Sequence, residues 1–349
     1  MRAAVYRGPG DIAVEEVADP VIEQPTDAVV RVVAAGLCGS DLSTYRGQKD
    51  VPPGSRIGHE MVGTVTEVGA EVTGVRVGDW VLVPFRYSCG TCGFCLDGLP
   101  SSCPRGGFWS REVVDGGQGE LVRVPFADGT LLKAYPDGSA PDPDLVASLL
   151  TLTDVMGTGY HAALSAEVTE GATAVVVGDG AVGLCAVVAS RLLGAERVLV
   201  LGSNHPARTR TARELGADEV VTERGEAASA RVAELTGGLG APSVLECVGT
   251  AESFSTALDV VAPGGTVGWV GLPLGVELDM SRLFFHNITL AGGVAPVRTY
   301  MPLLLSEVLS GRIDPGVVFT DRLGLGQVAE AYRMLDARET VKPLIDPTS

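Results

Sequence analysis

Basic side chains are scarce: 26 Lys and Arg stand against 43 Asp and Glu, leaving a formal charge of −17. A nucleic-acid partner or an anionic membrane surface needs clustered Lys and Arg, so both are excluded as expected partners. Long apolar runs are missing too. The opening stretch, Met1 to Asp11, holds none of signal-peptide length. The most apolar later window, Gly171 to Ser190, is broken by Asp179 and three glycines, which argues against a membrane span. Histidine is confined to His59, His161, His205 and His286. The seven cysteines are an odd number in a long chain without a leader, which points to the cytoplasm and to thiols that bind metal or lie buried.

What is present is equally telling. A length of 349 residues suits two domains, and an apolar fraction of 46% with 20% charged residues is that of a globular protein. Glycine is abundant, 46 in all, so many backbone positions need positive φ or close approach. Up to about residue 150 the text is β-rich and turn-punctuated, with β-branched runs at Ala28–Ala34 and Met61–Val68 that predict a small barrel or sandwich. From Leu145 to Leu164 it reads helical. Strands at Ala172–Val177, Arg197–Leu201, Glu219–Thr222, Ser243–Val248 and Gly265–Val270 then alternate with helices at Ala181–Leu193, Ala207–Leu215 and Ala227–Leu235. Such alternation implies βαβ units and a parallel sheet. Two more helices are expected near Tyr300–Leu309 and Leu325–Leu335, and Asp137–Pro143 reads as a loop.

The most specific motif is Cys89, Cys92, Cys95 and Cys103, in C-x2-C-x2-C-x7-C spacing. Four soft ligands held through glycine turns suit tetrahedral Zn²⁺, and with no coordination position left open such a site is structural. Two disulfides or a redox cluster are the alternatives. A second signal is Gly58-His59-Glu60-x-x-Gly63, with Cys38-Gly39-Ser40-Asp41 some twenty residues before it. Cys38 and His59 are two ligands of a kind that catalytic zinc uses, and the third must come from elsewhere. The third signal, Gly178-x-Gly180-x-Val182-Gly183, follows a predicted strand and opens a predicted helix. In that setting it is a dinucleotide fingerprint: the glycines allow the turn and close approach of pyrophosphate, and the helix N-terminus meets its charge. The second strand of such a fold usually ends in an acid for the ribose 2′-hydroxyl. Gly202 stands there instead, followed by Ser203, Asn204, Arg208 and Arg210. That pattern predicts NADP(H) in preference to NAD(H), unless the two arginines merely form the solvated face of a helix.

Together the Gly58–Val72 pattern, Cys38-Gly-Ser-Asp and the four-cysteine lobe resemble the zinc-containing medium-chain alcohol dehydrogenases over essentially the whole chain. The resemblance implies an α/β two-domain fold. A GroES-like β-rich catalytic domain (1–150) carries both zincs, a doubly wound parallel-sheet Rossmann domain (151–290) is inserted, and 291–349 return to the first. By the same resemblance the third catalytic ligand lies four residues before Thr158-Gly159-Tyr160, at Asp154, as in the formaldehyde-dehydrogenase branch; a plain helix N-cap is the alternative for that residue. Glu60 then lies behind the metal as an alternate ligand. Ser40 binds the substrate oxygen and starts a proton relay, with Ser43 where some members place a histidine. Thr158 sits beside the nicotinamide, and Val248 and Val270 close later strands at the cofactor crevice. The implied activity is hydride transfer between NADP(H) and an alcohol, aldehyde or ketone, in a homodimer or homotetramer. An NAD-dependent polyol or formaldehyde-type dehydrogenase and a non-catalytic zinc-binding structural protein are the competing readings. Trp109, Phe284 and Phe285 are pocket candidates whose simpler reading is core.

Overall fold

The computed structural model describes residues 1–110 and 115–349. The chain divides into two compact units, one of Met1–Asp154 with Pro296–Ser349 and one of Val155–Ala295. Among the described residues no helix is long and apolar enough to cross a membrane.

The first unit is built on a seven-stranded sheet. Along it run Asp321–Gly324, Pro343–Asp346, Ala28–Gly36, Glu60–Val68, Trp80–Val83 and Leu132–Lys133, with Leu121–Val124 also paired to Ala28–Gly36. All these pairs are antiparallel except Asp321–Gly324 with Pro343–Asp346. Alternation of apolar side chains drives the sheet around one core, where Val30, Val32, Met61, Val81 and Val122 meet Tyr332 and Leu335 from the helix Val328–Asp336. That helix and the strand Pro343–Asp346 come from the far end of the chain, so the C-terminal segment completes the first unit's core.

The second unit is a six-stranded parallel sheet. Its order is Glu219–Val221, Arg197–Leu201, Thr173–Val177, Ala241–Glu246, Val261–Trp269, Thr289–Gly292. Sequence neighbours run outward in both directions from Thr173–Val177, the doubly wound arrangement that binds dinucleotides at its switch point. Near-continuous Val and Leu in the central strands reflect burial on both faces.

Three elements differ from the sequence expectation. The stretch Leu145–Leu164 is two helices, Val146–Thr151 and Val155–Ser165. Between them the hydroxyls of Thr151 and Thr153 donate back to the carbonyls of Ser148 and Leu150. The Thr153 carbonyl meanwhile accepts from the Phe85 N–H at 2.8 Å instead of continuing the helix. The strand expected at Gly265 starts at Val261, because Val261 already pairs with Ala241. The helix near Tyr300 starts at Val297 and carries Pro302 inside. Of the aromatic candidates, Trp109 is core: it is buried and donates its indole N–H to Pro84 O at 2.8 Å. Phe284 and Phe285 are not core, at 77% and 75% exposed.

Backbone approaches close the second unit. A Cβ on Gly268 would lie 2.3 Å from Ala162 O and 2.4 Å from Ala166 N, so the helix Val155–Ser165 seats on the sheet only over glycine. Gly268→Ala should therefore cost about 1–3 kcal/mol, the usual range for overpacking. Gly326→Ala, with open space around it, should be near neutral. Urea midpoints at unchanged m-value check both.

Candidate metal centre and dinucleotide turn

Strand register assembles the first site. Gly36 pairs with Glu60, so the chain leaving one strand at Cys38 runs beside the chain entering the next at His59. Leu344 pairs with the same Gly36 on the other side, which brings Lys342 to that end. The break between the two helices presents Asp154 there as well. The result is that Cys38, His59, Glu60 and Asp154 place one donor atom each within 4.8 Å of one another. Small residues make room. A Cβ on Gly36 would meet Glu60 Oε2 at 2.5 Å, and one on Gly58, whose φ is +99°, would meet Gln118 Cγ at 2.3 Å.

The imidazole of His59 is held from behind. Its Nδ1 lies 3.0 Å from Asp41 Oδ1, while Nε2 lies 3.3 Å from Asp154 Oδ2 and 3.4 Å from Ser40 Oγ. Asp41 is itself fixed, accepting from the Cys38 N–H at 3.0 Å and from Gln118 Nε2 at 3.3 Å. Tyr332 OH donates to Gln118 Oε1 at 2.9 Å, which ties the C-terminal helix into the network. A ligand histidine whose second nitrogen is committed to a carboxylate is the usual support of a metal site. Behind it, Lys342 Nζ donates to Glu60 Oε1 at 2.6 Å and to Leu37 O at 2.9 Å, with both side chains wholly buried. Glu60 Oε2 is buried and has no hydrogen-bond partner among the described residues. The donor set, two carboxylates, a thiol and an imidazole with one orphaned oxygen, fits a dication.

Charge in this pocket is tightly balanced. Burial pushes the Cys38 thiol up, and Asp154 adds to the effect. Burial opposes protonation of His59, yet Asp41, Asp154 and Cys38 outweigh it and hold the imidazole well above its ordinary value. Glu60 is pushed up to about 7 by burial, against the pull of Lys342. Burial thus favours the protonated forms of Cys38 and Glu60, and a bound cation would favour their ionised forms.

The four-cysteine lobe forms a second cluster. Its sulfurs are 3.4 Å apart for Cys89 and Cys103, 3.5 Å for Cys92 and Cys95, and 3.8 Å for Cys92 and Cys103. These separations are far beyond a disulfide bond, and all seven cysteines are free thiols. Four sulfurs within 4.8 Å of one another fit a tetrahedral thiolate site. Burial raises the Cys89 thiol, but backbone N–H groups and the Thr91 hydroxyl bring it down to about 5.

In the second unit the glycine-rich turn joins the strand Thr173–Val177 to the helix Ala181–Leu192. Gly178 has φ +113°, and a Cβ on Gly183 would strike Gly178 O at 2.0 Å, whereas Gly180 faces open space, as backbone that must admit a pyrophosphate does. Val182 lies in the first turn of that helix and Thr158 in the helix Val155–Ser165. Val248 follows the strand Ala241–Glu246 and donates its N–H to Glu246 Oε1, and Val270 follows Val261–Trp269 and donates to Glu246 O. Ser203 donates from N and Oγ to Asp179 Oδ2 at 2.6 and 2.5 Å. Arg208 is buried and donates to Asp179 O at 3.2 Å, while Arg210 and Asn204 are exposed.

Two stretches of the chain match known protein families. Residues 24–134 match the alcohol dehydrogenase GroES-like domain and residues 181–310 the zinc-binding dehydrogenase domain. Zinc-type alcohol dehydrogenase B of Aspergillus flavus is 35% identical over 98% of this chain and 80% of its own length. The chain belongs to the zinc-containing medium-chain alcohol dehydrogenase family. A probable zinc-binding alcohol dehydrogenase of Mycobacterium tuberculosis is 37% identical over 97% of this chain and 86% of its own length. Among solved structures, an alcohol dehydrogenase from Thermus sp. ATN1 superposes with a TM-score of 0.91 at 34% identity, covering 99% of both chains. As a member of this zinc alcohol dehydrogenase family the protein is an enzyme, a zinc-dependent oxidoreductase.

Sequence reasoning missed Lys342, Gln118 and Tyr332, which carry no local motif and reach the pocket from distant segments. It named Asp41 only as a nearby carboxylate; its place next to Ser40 and three residues from Cys38 was the available signal. The Glu60–Lys342 pair yields a direct test. Lys342→Met leaves a buried carboxylate uncompensated and should cost about 3–5 kcal/mol, while adding Glu60→Leu should restore most of it. Urea unfolding of the metal-free proteins measures both, and equal losses in the single and double variants would contradict the pairing.

Proposed function

We propose that the enzyme transfers a hydride between a nicotinamide dinucleotide and a small alcohol, aldehyde or ketone at a zinc held by Cys38, His59 and Asp154. The observation that supports this most is the convergence of those donors with Glu60 inside 4.8 Å, backed by the Asp41 contact to His59 Nδ1. When bound, the metal supplies Lewis-acid polarisation of a carbonyl oxygen and the nicotinamide gives or takes the hydride. The chain's own groups do the rest. Asp41 fixes the ring so that Nε2 faces the pocket. Ser40 Oγ, beside that nitrogen, hydrogen-bonds the substrate oxygen and passes its proton outward. Ser43 stands where a histidine ends the relay in some relatives, so the proton leaves through water. Glu60, anchored by Lys342, waits behind the ligands as an alternate donor.

Cys89, Cys92, Cys95 and Cys103 hold a second, structural zinc in this reading. Gly178, Gly180, Val182, Gly183, Thr158, Val248 and Val270 form the dinucleotide surface. For the coenzyme, the missing strand-end acid at Gly202 and the exposed Asn204 support NADP(H), whereas Ser203 and Arg208, read as NADP(H) contacts from sequence, are held by Asp179. A second reading, NAD(H), is favoured by one observation, the Asp179 carboxylate lying against Gly202 and Arg208. A homodimer or homotetramer acting in the cytoplasm belongs to the same reading.

Asp154→Ala should abolish turnover while leaving the fold intact by circular dichroism; a variant with normal kcat and full zinc content would remove Asp154 from the ligand set. Cys92→Ser should instead lower Tm and leave measurable turnover. A panel of alcohols and carbonyls assayed with both coenzymes, alongside elemental analysis, tests the reaction itself. Two zincs per chain and coenzyme-dependent turnover are expected.

A further inference from the structure

The strand that ends at Leu201 has glycine where a dinucleotide fold usually places its ribose-binding acid. The space that such a side chain would enter is not free. A Cβ built on Gly202 would stand 3.2 Å from both Asp179 Cβ and Asp179 Oδ2. Asp179 belongs to the glycine-rich turn, on the neighbouring strand's exit, and reaches across to this position. It is pinned there. Ser203 donates from N at 2.6 Å and from Oγ at 2.5 Å, both to Oδ2. On the other side Arg208 Nη1 donates to Asp179 O at 3.2 Å and stands 3.6 Å from Oδ1. The Asp179 and Arg208 side chains are only 13% and 11% exposed, so water screens their charges weakly.

This arrangement changes what each group offers a ligand. The guanidinium that would pair with a 2′-phosphate already faces a carboxylate, and its charge is largely cancelled. The carboxylate keeps lone pairs that a 2′-hydroxyl can donate to, but it repels a phosphate dianion. A single residue therefore acts twice against the phosphorylated coenzyme, by its own charge and by occupying Arg208.

We propose that Asp179, supplied by the glycine-rich turn in place of a strand-end acid, is the residue that sets discrimination at the coenzyme's 2′ position, with Ser203 holding it and Arg208 under its control. The inference rests on the dinucleotide-binding reading given above and adds the group that chooses between its two forms.

Equilibrium binding separates the two ideas without any need for turnover. Adenosine 5′-monophosphate and adenosine 2′,5′-bisphosphate, which differ only at the 2′ position, are titrated calorimetrically into the zinc-loaded wild type, Asp179→Asn and Asp179→Ala, and NADH and NADPH are titrated by fluorescence. Replacing the carboxylate should improve the bisphosphate-to-monophosphate affinity ratio by about tenfold or more, the scale of one close charge contact. NADPH should gain on NADH in the same sense. In the Asp179→Asn background, Arg208→Gln should take most of that gain away, since the freed guanidinium is its source. An affinity ratio unchanged within about twofold in both Asp179 variants, with the monophosphate still bound, would overturn the proposal. Failure of all four nucleotides to bind the wild type would instead overturn the dinucleotide reading, and the inference with it.

Discussion

Carboxylates and a thiol crowded into a buried pocket must be compensated, and that electrostatic demand organises the first unit. Cys38, Glu60 and Asp154 present their donors within 4.8 Å of one another around His59, and Asp41 adds a further carboxylate from behind. Two like charges about 4 Å apart cost roughly 4 kcal/mol even at an effective dielectric of 20. Among the described residues the buried Lys342 ammonium is the cation bonded to this group, through Glu60. A divalent cation is a species that would satisfy the clustered donors together.

Backbone pairing makes the convergence possible. Three strand ends meet through the shared partner Gly36, so one register places Cys38, His59 and Lys342 side by side although Glu60 and Lys342 are 282 residues apart. A slip of one residue would turn every side chain to the opposite face of the sheet. The bulges between Val29 and Val30 and between Val32 and Ala34 occur inside this pairing, which therefore sets the phase in which the strand reaches Cys38. Gly36 and Gly58 then leave the space that Glu60 and Gln118 fill.

In the second unit the same economy appears in different chemistry. Parallel strands fan outward from Thr173–Val177, and the C-terminal end of that strand carries the glycine-rich turn. There too a residue's meaning depends on its neighbour in space. Arg208 beside an empty strand end reads as a phosphate ligand, but in space it stands 3.6 Å from the Asp179 carboxylate.

Local text determined a great deal. The C-x2-C-x2-C-x7-C run, the Gly-His-Glu stretch and the glycine-rich turn each put their donors or glycines within a few residues, so spacing alone marked those groups, and period-2 and alternating strand–helix patterns carried the layout of both units. Tertiary structure alone decided the rest, because the deciding contacts join segments with no sequence proximity: Lys342 with Glu60, Tyr332 with Gln118, Phe85 with Thr153, and Asp179 with Gly202 and Arg208. Hydrogen bonds and charges act through a few ångströms of space, and a linear pattern records those distances only where the chain itself keeps the partners close.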